Sequence, residues 1–296
     1  MMTLPLLSLV TLLASGFVAD PPHQCDACEE WNRPQDPFRV HGNTWYVGPA
    51  GVSAVLVTSA DGHILLDGGL PQSAPLIVEN IRKAGFRLED VKLIVNTHAH
   101  YDHAGGIASL QRASGARVAA SPAGKRALEN GGPLEDDPQF AFGPQHNNFP
   151  RVSGVQEIRD RDTLRVGDLS ITVHFTPGHT PGGTSWSWRS CDGDNCLDFV
   201  YADSLNAVSA PGFRFDQPAM RAAFESTIAR VETLPCDILL AAHPVAIAMD
   251  VKLEAWRRNP AVNPFVGSNA CRSYASGART RLQARLEEER AAKPIP

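Results

Sequence analysis

The chain has 296 residues, is 43% hydrophobic and carries a formal charge of −5 at pH 7. That length and apolar content suffice for a sizeable core in one large domain or two intimately packed halves. The acidic excess is mild and dispersed, and without a block of Lys and Arg the chain has no footprint for nucleic acid.

Residues 1–19 read as an export signal. Leu4 through Leu13 is mostly apolar and too short to span a bilayer. Ala14-Ser15-Gly16 places small residues where a signal peptidase cuts, with Ala19 as a second site, although Met1-Met2-Thr3 lacks the usual basic residue. Cleavage leaves no membrane attachment. Residues 20–36, rich in Pro and polar groups, read as an extended arm, and 37–296 as the folded domain.

Phe38-Arg39-Val40 and Thr44 through Val47 flank His41-Gly42-Asn43, a hairpin signal. Val52–Thr58 and His63–Leu66 bracket Ala60-Asp61-Gly62, a second one. Leu76, Ile77, Val78 and Ile81 have helical spacing that Gly85 stops. Val91, Leu93, Ile94 and Val95 form an apolar run that reads as a buried strand, and Ile107–Leu110 after Gly105-Gly106 opens a helix. Residues 121–150 are rich in Gly, Pro, Asn and Asp and predict a long loop with one short helix. Within it, Gln139 and Phe140 belong either to the surface or to the wall of a cleft.

The second half repeats the plan. Strands are expected near 155–159, 163–166, 169–175, 184–188 and 198–202. A helix follows over 218–233, then the strand Ile238–Ala242 and an amphipathic helix over 273–291. Trp186 and Trp188 share one face of a strand and read as core. Strand-rich halves, each closed by helices, predict an α/β fold of αββα type, with two mixed sheets face to face and helices on both outer sides.

Six cysteines agree with export, since an oxidising compartment favours disulfides over metal thiolates. Cys191 and Cys196 flank the turn Asp192-Gly193-Asp194-Asn195. Cys236 and Cys271 would staple the last helix. Cys25 and Cys28 form a CxxC after the signal. The sequence alone does not fix the connectivity.

The most informative stretch is Thr97-His98-Ala99-His100-Tyr101-Asp102-His103. It concentrates three imidazoles and a carboxylate where a strand ends and a helix begins, the usual place for chemistry in α/β folds. No packing or turn requirement asks for that. In extended backbone His98 and His100 point the same way, while Asp102 and His103 lie past the bend, so the spacing suggests two neighbouring metal sites. His179, in Pro177-Gly178-His179-Thr180-Pro181-Gly182-Gly183, and His243 also follow strands. His23, His41, His63, His146 and His174 read as ordinary structural histidines. Asp67, beside Gly68-Gly69, either orients the metal loop or is a plain turn residue.

HxHxDH, the later PGHTPGG and the late strand-end His together resemble the metallo-β-lactamase superfamily. Tyr201-Ala202-Asp203-Ser204-Leu205, Asn43 through Gly48 and Ser185 through Cys191 are similar to its subclass B3, with Ser204 where subclass B1 has a cysteine ligand. The resemblance runs from about residue 37 to 290. It implies a first zinc on His98, His100 and His179 and a second on Asp102, His103 and His243. Asp203 is not among the ligands. Ser204 and residue 206 would contact the substrate carboxylate, and Asn206 departs from the family's Ser or Thr.

The expected function is zinc-dependent hydrolysis of the β-lactam amide by a monomer in the periplasm. It would confer resistance to β-lactam antibiotics, carbapenems included. A hydroxide bridging two Zn²⁺ would attack the lactam carbonyl, with Asp102 as the catalytic side chain that anchors the second ion and orients the water. Neutral imidazole and carboxylate suit Zn²⁺. The rivals are another hydrolase on this scaffold, such as a lactonase or a glyoxalase II-type thioesterase, and a non-catalytic zinc protein. Structural zinc sites are closed cages, usually with cysteine, which disfavours the last.

Overall fold

The structure is a computed structural model that describes residues 17–292, so most of the segment read as an export signal lies outside the described residues. Among the described residues the strands form two mixed sheets. The first comprises β1 (Phe38–His41), β2 (Thr44–Tyr46), β3 (Val55–Val57), β4 (His63–Leu66), β5 (Val91–Val95), β6 (Arg117–Ala120) and β7 (Gln156–Glu157), paired in that order. It is antiparallel from β1 to β4 and parallel from β4 to β7. The second runs β8 (Thr163–Val166), β9 (Leu169–Phe175), β10 (Thr184–Asp192), β11 (Asn195–Ala202), β12 (Ile238–Ala241), with only β11 and β12 parallel.

The helices are α1 (Cys28–Trp31), α2 (Ala74–Lys83), α3 (Tyr101–Ala104), α4 (Ile107–Ser114), α5 (Pro122–Asn130), α6 (Pro144–Asn147), α7 (Pro218–Thr233), α8 (Met249–Arg258) and α9 (Ala270–Ala291). No helix among them is long and apolar enough to cross a membrane.

Strand alternation explains the layers. Along β5, Leu93 and Val95 face the second sheet, where they meet a core that includes Ile171, Val173, Trp186 and Tyr201. Val91 and Ile94 face the other way, into a core with Ile77 and Ile81 of α2 and Leu110 of α4. Both faces of the strand are therefore covered, which is why the run is apolar throughout. Val200 and Leu239 do the same for the second sheet, packing on Phe224 and Ile228 of α7 and Leu282 and Leu286 of α9. The result is the expected αββα sandwich.

The elements differ in detail from the sequence reading. The segment 121–150 holds α5, a nine-residue helix with Ser121 capping Gly124 N–H and Pro122 in the first turn, followed by short turns. Helix α8 was hidden by an apolar face too sparse to show periodicity, with only Met249 and Leu253 buried. Disulfides join Cys191 to Cys196, Cys236 to Cys271, and Cys25 to Cys28 within the arm.

Candidate metal centre

The donors converge because parallel strands end on the same side. Residues 96–100 leave β5, Thr176–His179 leave β9, Asp203 and Ser204 leave β11, and Ala242 and His243 leave β12. The sheets are tied together at this edge. Thr184 N donates to Thr97 O at 2.8 Å and Ser53 N to Ala242 O at 2.9 Å. Trp186 Nε1 donates to Asn96 O at 3.2 Å.

Asp67 anchors the first loop. It ends β4 in a left-handed conformation, φ 63°, a backbone state that Asp tolerates better than most residues and that clusters at functional sites. Its carboxylate accepts from Asn96 Nδ2 at 3.0 Å, Thr97 N at 2.7 Å, Thr97 Oγ1 at 2.8 Å and Tyr201 OH at 2.7 Å. Burial raises its pKa against these bonds and the nearby His103. Of its two sequence readings, the structure gives loop orientation.

His98, His100 and His179 bring one ring nitrogen each within 4.8 Å of one another, and so do the donors of His98, Asp102 and His103. Asp102 Oδ2 lies 3.0 Å from His103 Nε2 and 3.2 Å from His243 Nε2, and those two nitrogens are 3.2 Å apart. The six sequence-predicted donors thus form one cluster. Ser204 is buried beside it and Asn206 is exposed.

The outward ring nitrogens are also committed. His98 Nδ1 lies 2.7 Å from Asp203 Oδ1, and His100 Nε2 lies 3.2 and 3.3 Å from the Asp137 oxygens. His179 Nδ1 lies 2.8 Å from Asn206 O, and His243 Nδ1 lies 3.2 Å from Gly51 O. Each ring that donates outward presents a bare nitrogen inward, the form a metal requires. His103 is the exception, with Asp67 Oδ2 3.9 Å from its Nδ1.

The electrostatics agree. Burial, with the neighbouring imidazoles, holds His98 well below its ordinary pKa and His179 down at about 3, so both rings are neutral acceptors. Burial would lift the Asp102 carboxyl, but His103 and His243 outweigh it and hold it well below the usual range. Burial would lower His243, but Asp102 raises it. Burial pushes Asp203 well up. Asp67, Asp102, Asp137 and Asp203 are all buried. Among the described residues their ion pairs are all with imidazoles, and none is with Lys or Arg. Buried carboxylates of this density need compensating positive charge. Divalent cations on these donors would supply it, so the residues fit zinc.

Close approach dictates two glycines. A Cβ on Gly183 would collide with Asp203 Oδ2 and Thr176 O. One on Gly51, whose carbonyl holds His243, would collide with Trp31 Cα of the arm. The arm reaches the site directly. The Trp31 ring lies 5.3 Å from that of His243, and His23 stacks on Tyr101 at 4.1 Å.

The sequence reading set Asp203 aside and missed Asp137 altogether. Asp203 carried a signal, since it precedes Ser204 at a strand end. Asp137 carried none that separated it from the other polar residues of its loop. The Gly51 carbonyl is backbone and leaves no trace in composition.

The sequence matches the profile of the Metallo-beta-lactamase superfamily over residues 47–243. The chain is similar to the solved Rm3 metallo-beta-lactamase, at 50% identity and TM-score 0.87, over 90% of this chain and 99% of that one. It is similar to MEM-A1, a subclass B3 metallo-beta-lactamase isolated from a soil metagenome library, at 46% identity and TM-score 0.84, over 89% of this chain and 100% of that one. A curated relative, the hydroxyacylglutathione hydrolase of Maricaulis maris (strain MCS10), is 31% identical over 110 residues, 37% of this chain. The match spans 32% of that relative's length.

Proposed function

The chain belongs to the metallo-beta-lactamase superfamily, and from that premise we propose that it is a zinc-dependent β-lactam hydrolase of subclass B3 type. One observation carries the reading. Its likeness to Rm3 takes in 99% of that enzyme, whereas the match to the Maricaulis hydrolase takes in 32% of that protein.

His98, His100 and His179 would hold one zinc ion, and Asp102, His103 and His243 a second. When bound, zinc supplies Lewis acidity and lowers the pKa of coordinated water from ~15.7 towards ~7. The chain's own residues do the rest. Asp203, Asp137, Asn206 O and Gly51 O fix the tautomers, so no ring must turn before it binds. Asp102, held as a carboxylate, is the catalytic side chain that orients the attacking water. Ser204 Oγ and Asn206 Nδ2 donate to the substrate carboxylate and set the lactam ring over the donors. Trp31 of the arm, whose ring lies 5.3 Å from that of His243, would shield that side of the site.

Residues 37–296 serve as the catalytic domain, 20–36 as the arm and 1–19 as the export signal of a periplasmic monomer. Three disulfides support an oxidising compartment. The expected consequence is resistance to β-lactam antibiotics, carbapenems included. The test is purified mature protein with a chromogenic cephalosporin. Turnover should be lost on chelation and return with zinc. Cleavage of a hydroxyacyl-glutathione thioester with no turnover of the cephalosporin would overturn the reading.

A further inference from the structure

Asp136 and Asp137 are neighbours with opposite fates. Asp136 forms an exposed ion pair with Arg126. Asp137 turns inward, is buried, and receives no Lys or Arg among the described residues. Both its oxygens lie within 3.3 Å of His100 Nε2, and Oδ1 also accepts from Gln139 N at 2.8 Å. The loop is built outward from that point. Phe140 N donates to Asp137 O at 3.1 Å, and Asn147 Nδ2 donates to Gln139 O at 2.8 Å. Ala210 N donates to Pro138 O at 2.9 Å, which ties in the stretch that follows Asn206. One carboxylate therefore joins a donor imidazole to the segment 137–147, whose backbone is in turn tied to Ala210.

We propose that Asp137 is a positioning residue that couples metal occupancy at His100 to the order of the cleft segment 137–147, an inference that rests on the metal-centre reading above. With Nε2–H donated to Asp137, His100 would offer Nδ1 to an ion, the nitrogen that Gln139 Nε2 approaches at 3.5 Å. Coordination at Nδ1 draws electron density from the ring and strengthens the Nε2–H bond to the carboxylate. The stronger bond holds Asp137, and with it Gln139 and Phe140. The linkage is reciprocal, so a segment that is held also holds the metal more tightly.

The test reads metal affinity and backbone exchange, not turnover. Zinc affinity is measured by competition with a chromophoric chelator for the wild type, Asp137→Asn and Asp137→Glu. Amide hydrogen exchange is followed over 137–147 with and without zinc, with α9 as reference. Stripping zinc from the wild type should speed exchange at Phe140 and Asn147 and leave α9 unchanged. Asp137→Asn should bind zinc ~10–100-fold more weakly and exchange fast in the segment even when loaded, while Asp137→Glu recovers part of both. Metal-independent exchange over 137–147 in the wild type overturns the proposal, as does wild-type zinc affinity in Asp137→Asn. Should Asp137→Asn fail to fold, the wild-type exchange alone decides. A protein that shows this coupling but opens no β-lactam would overturn the proposed function and leave the coupling standing, and a lactamase without the coupling would do the reverse.

Discussion

Asp203 Oδ1 sits 2.7 Å from His98 Nδ1, with side-chain exposures of 0% and 1%. The carboxylate backs the His98 ring at Nδ1. Its second oxygen has no hydrogen-bond partner among the described residues and fills the space left by Gly183. Asp203 is therefore placed to orient His98 from behind.

Asp203→Asn should weaken retention of the first metal ion by ~10–100-fold, the usual cost of losing a carboxylate behind a ligating imidazole. Chelator competition on folded protein, checked by circular dichroism, measures it. Unchanged affinity would mean that the contact only packs.

Elemental analysis after dialysis against modest zinc should give two ions per chain if the two proposed ligand sets, His98, His100 and His179 and Asp102, His103 and His243, each hold one. His243→Ala should lose one of them. A wild-type stoichiometry of one, unaltered by that substitution, would remove the second site from the account.

Ring opening should need no protein nucleophile. Ser204→Ala should keep measurable turnover, whereas Asp102→Ala should lose most of it. Mass spectrometry during turnover should detect no covalent acyl-enzyme, and finding one would replace the hydrolytic mechanism with a nucleophilic one.

In the proposed role Asn206 would offer a neutral amide to the substrate carboxylate, a bond that would contribute ~0.5–1.5 kcal/mol, or about three- to tenfold in binding. If it acts equally on ground and transition states, the loss falls on KM. Asn206→Ala should raise KM for a penicillin and a carbapenem several-fold and leave kcat nearly unchanged, and Asn206→Ser should restore much of it. An unaltered KM would place the Asn206 amide outside the cleft. Its backbone carbonyl would still hold His179.

The sequence was most legible where one residue type meets one demand. Apolar runs such as Val91–Val95 declared a strand covered on both faces, and the histidine spacing pointed to side chains that the fold brings together. Strands β8 and β9 and helix α7 fell where alternation and periodicity put them. What stayed hidden depends on tertiary placement. Asp137 became informative only when its loop folded back onto His100. Gly51 matters through a carbonyl that every residue possesses. The Cys25–Cys28 pair was one of several arrangements that the spacing allowed.

The donors reach the centre on separate excursions beyond the ends of β5, β9 and β12, while the layers beneath consist of aliphatic and aromatic packing. Reactivity and foldedness are consequently encoded in largely different positions. Substitutions at exposed positions of the arm or of the segments 137–147 and 204–210 would therefore bear on the site with little penalty to the scaffold. Damage to the interior would lower the amount of enzyme in the cell before it altered its selectivity.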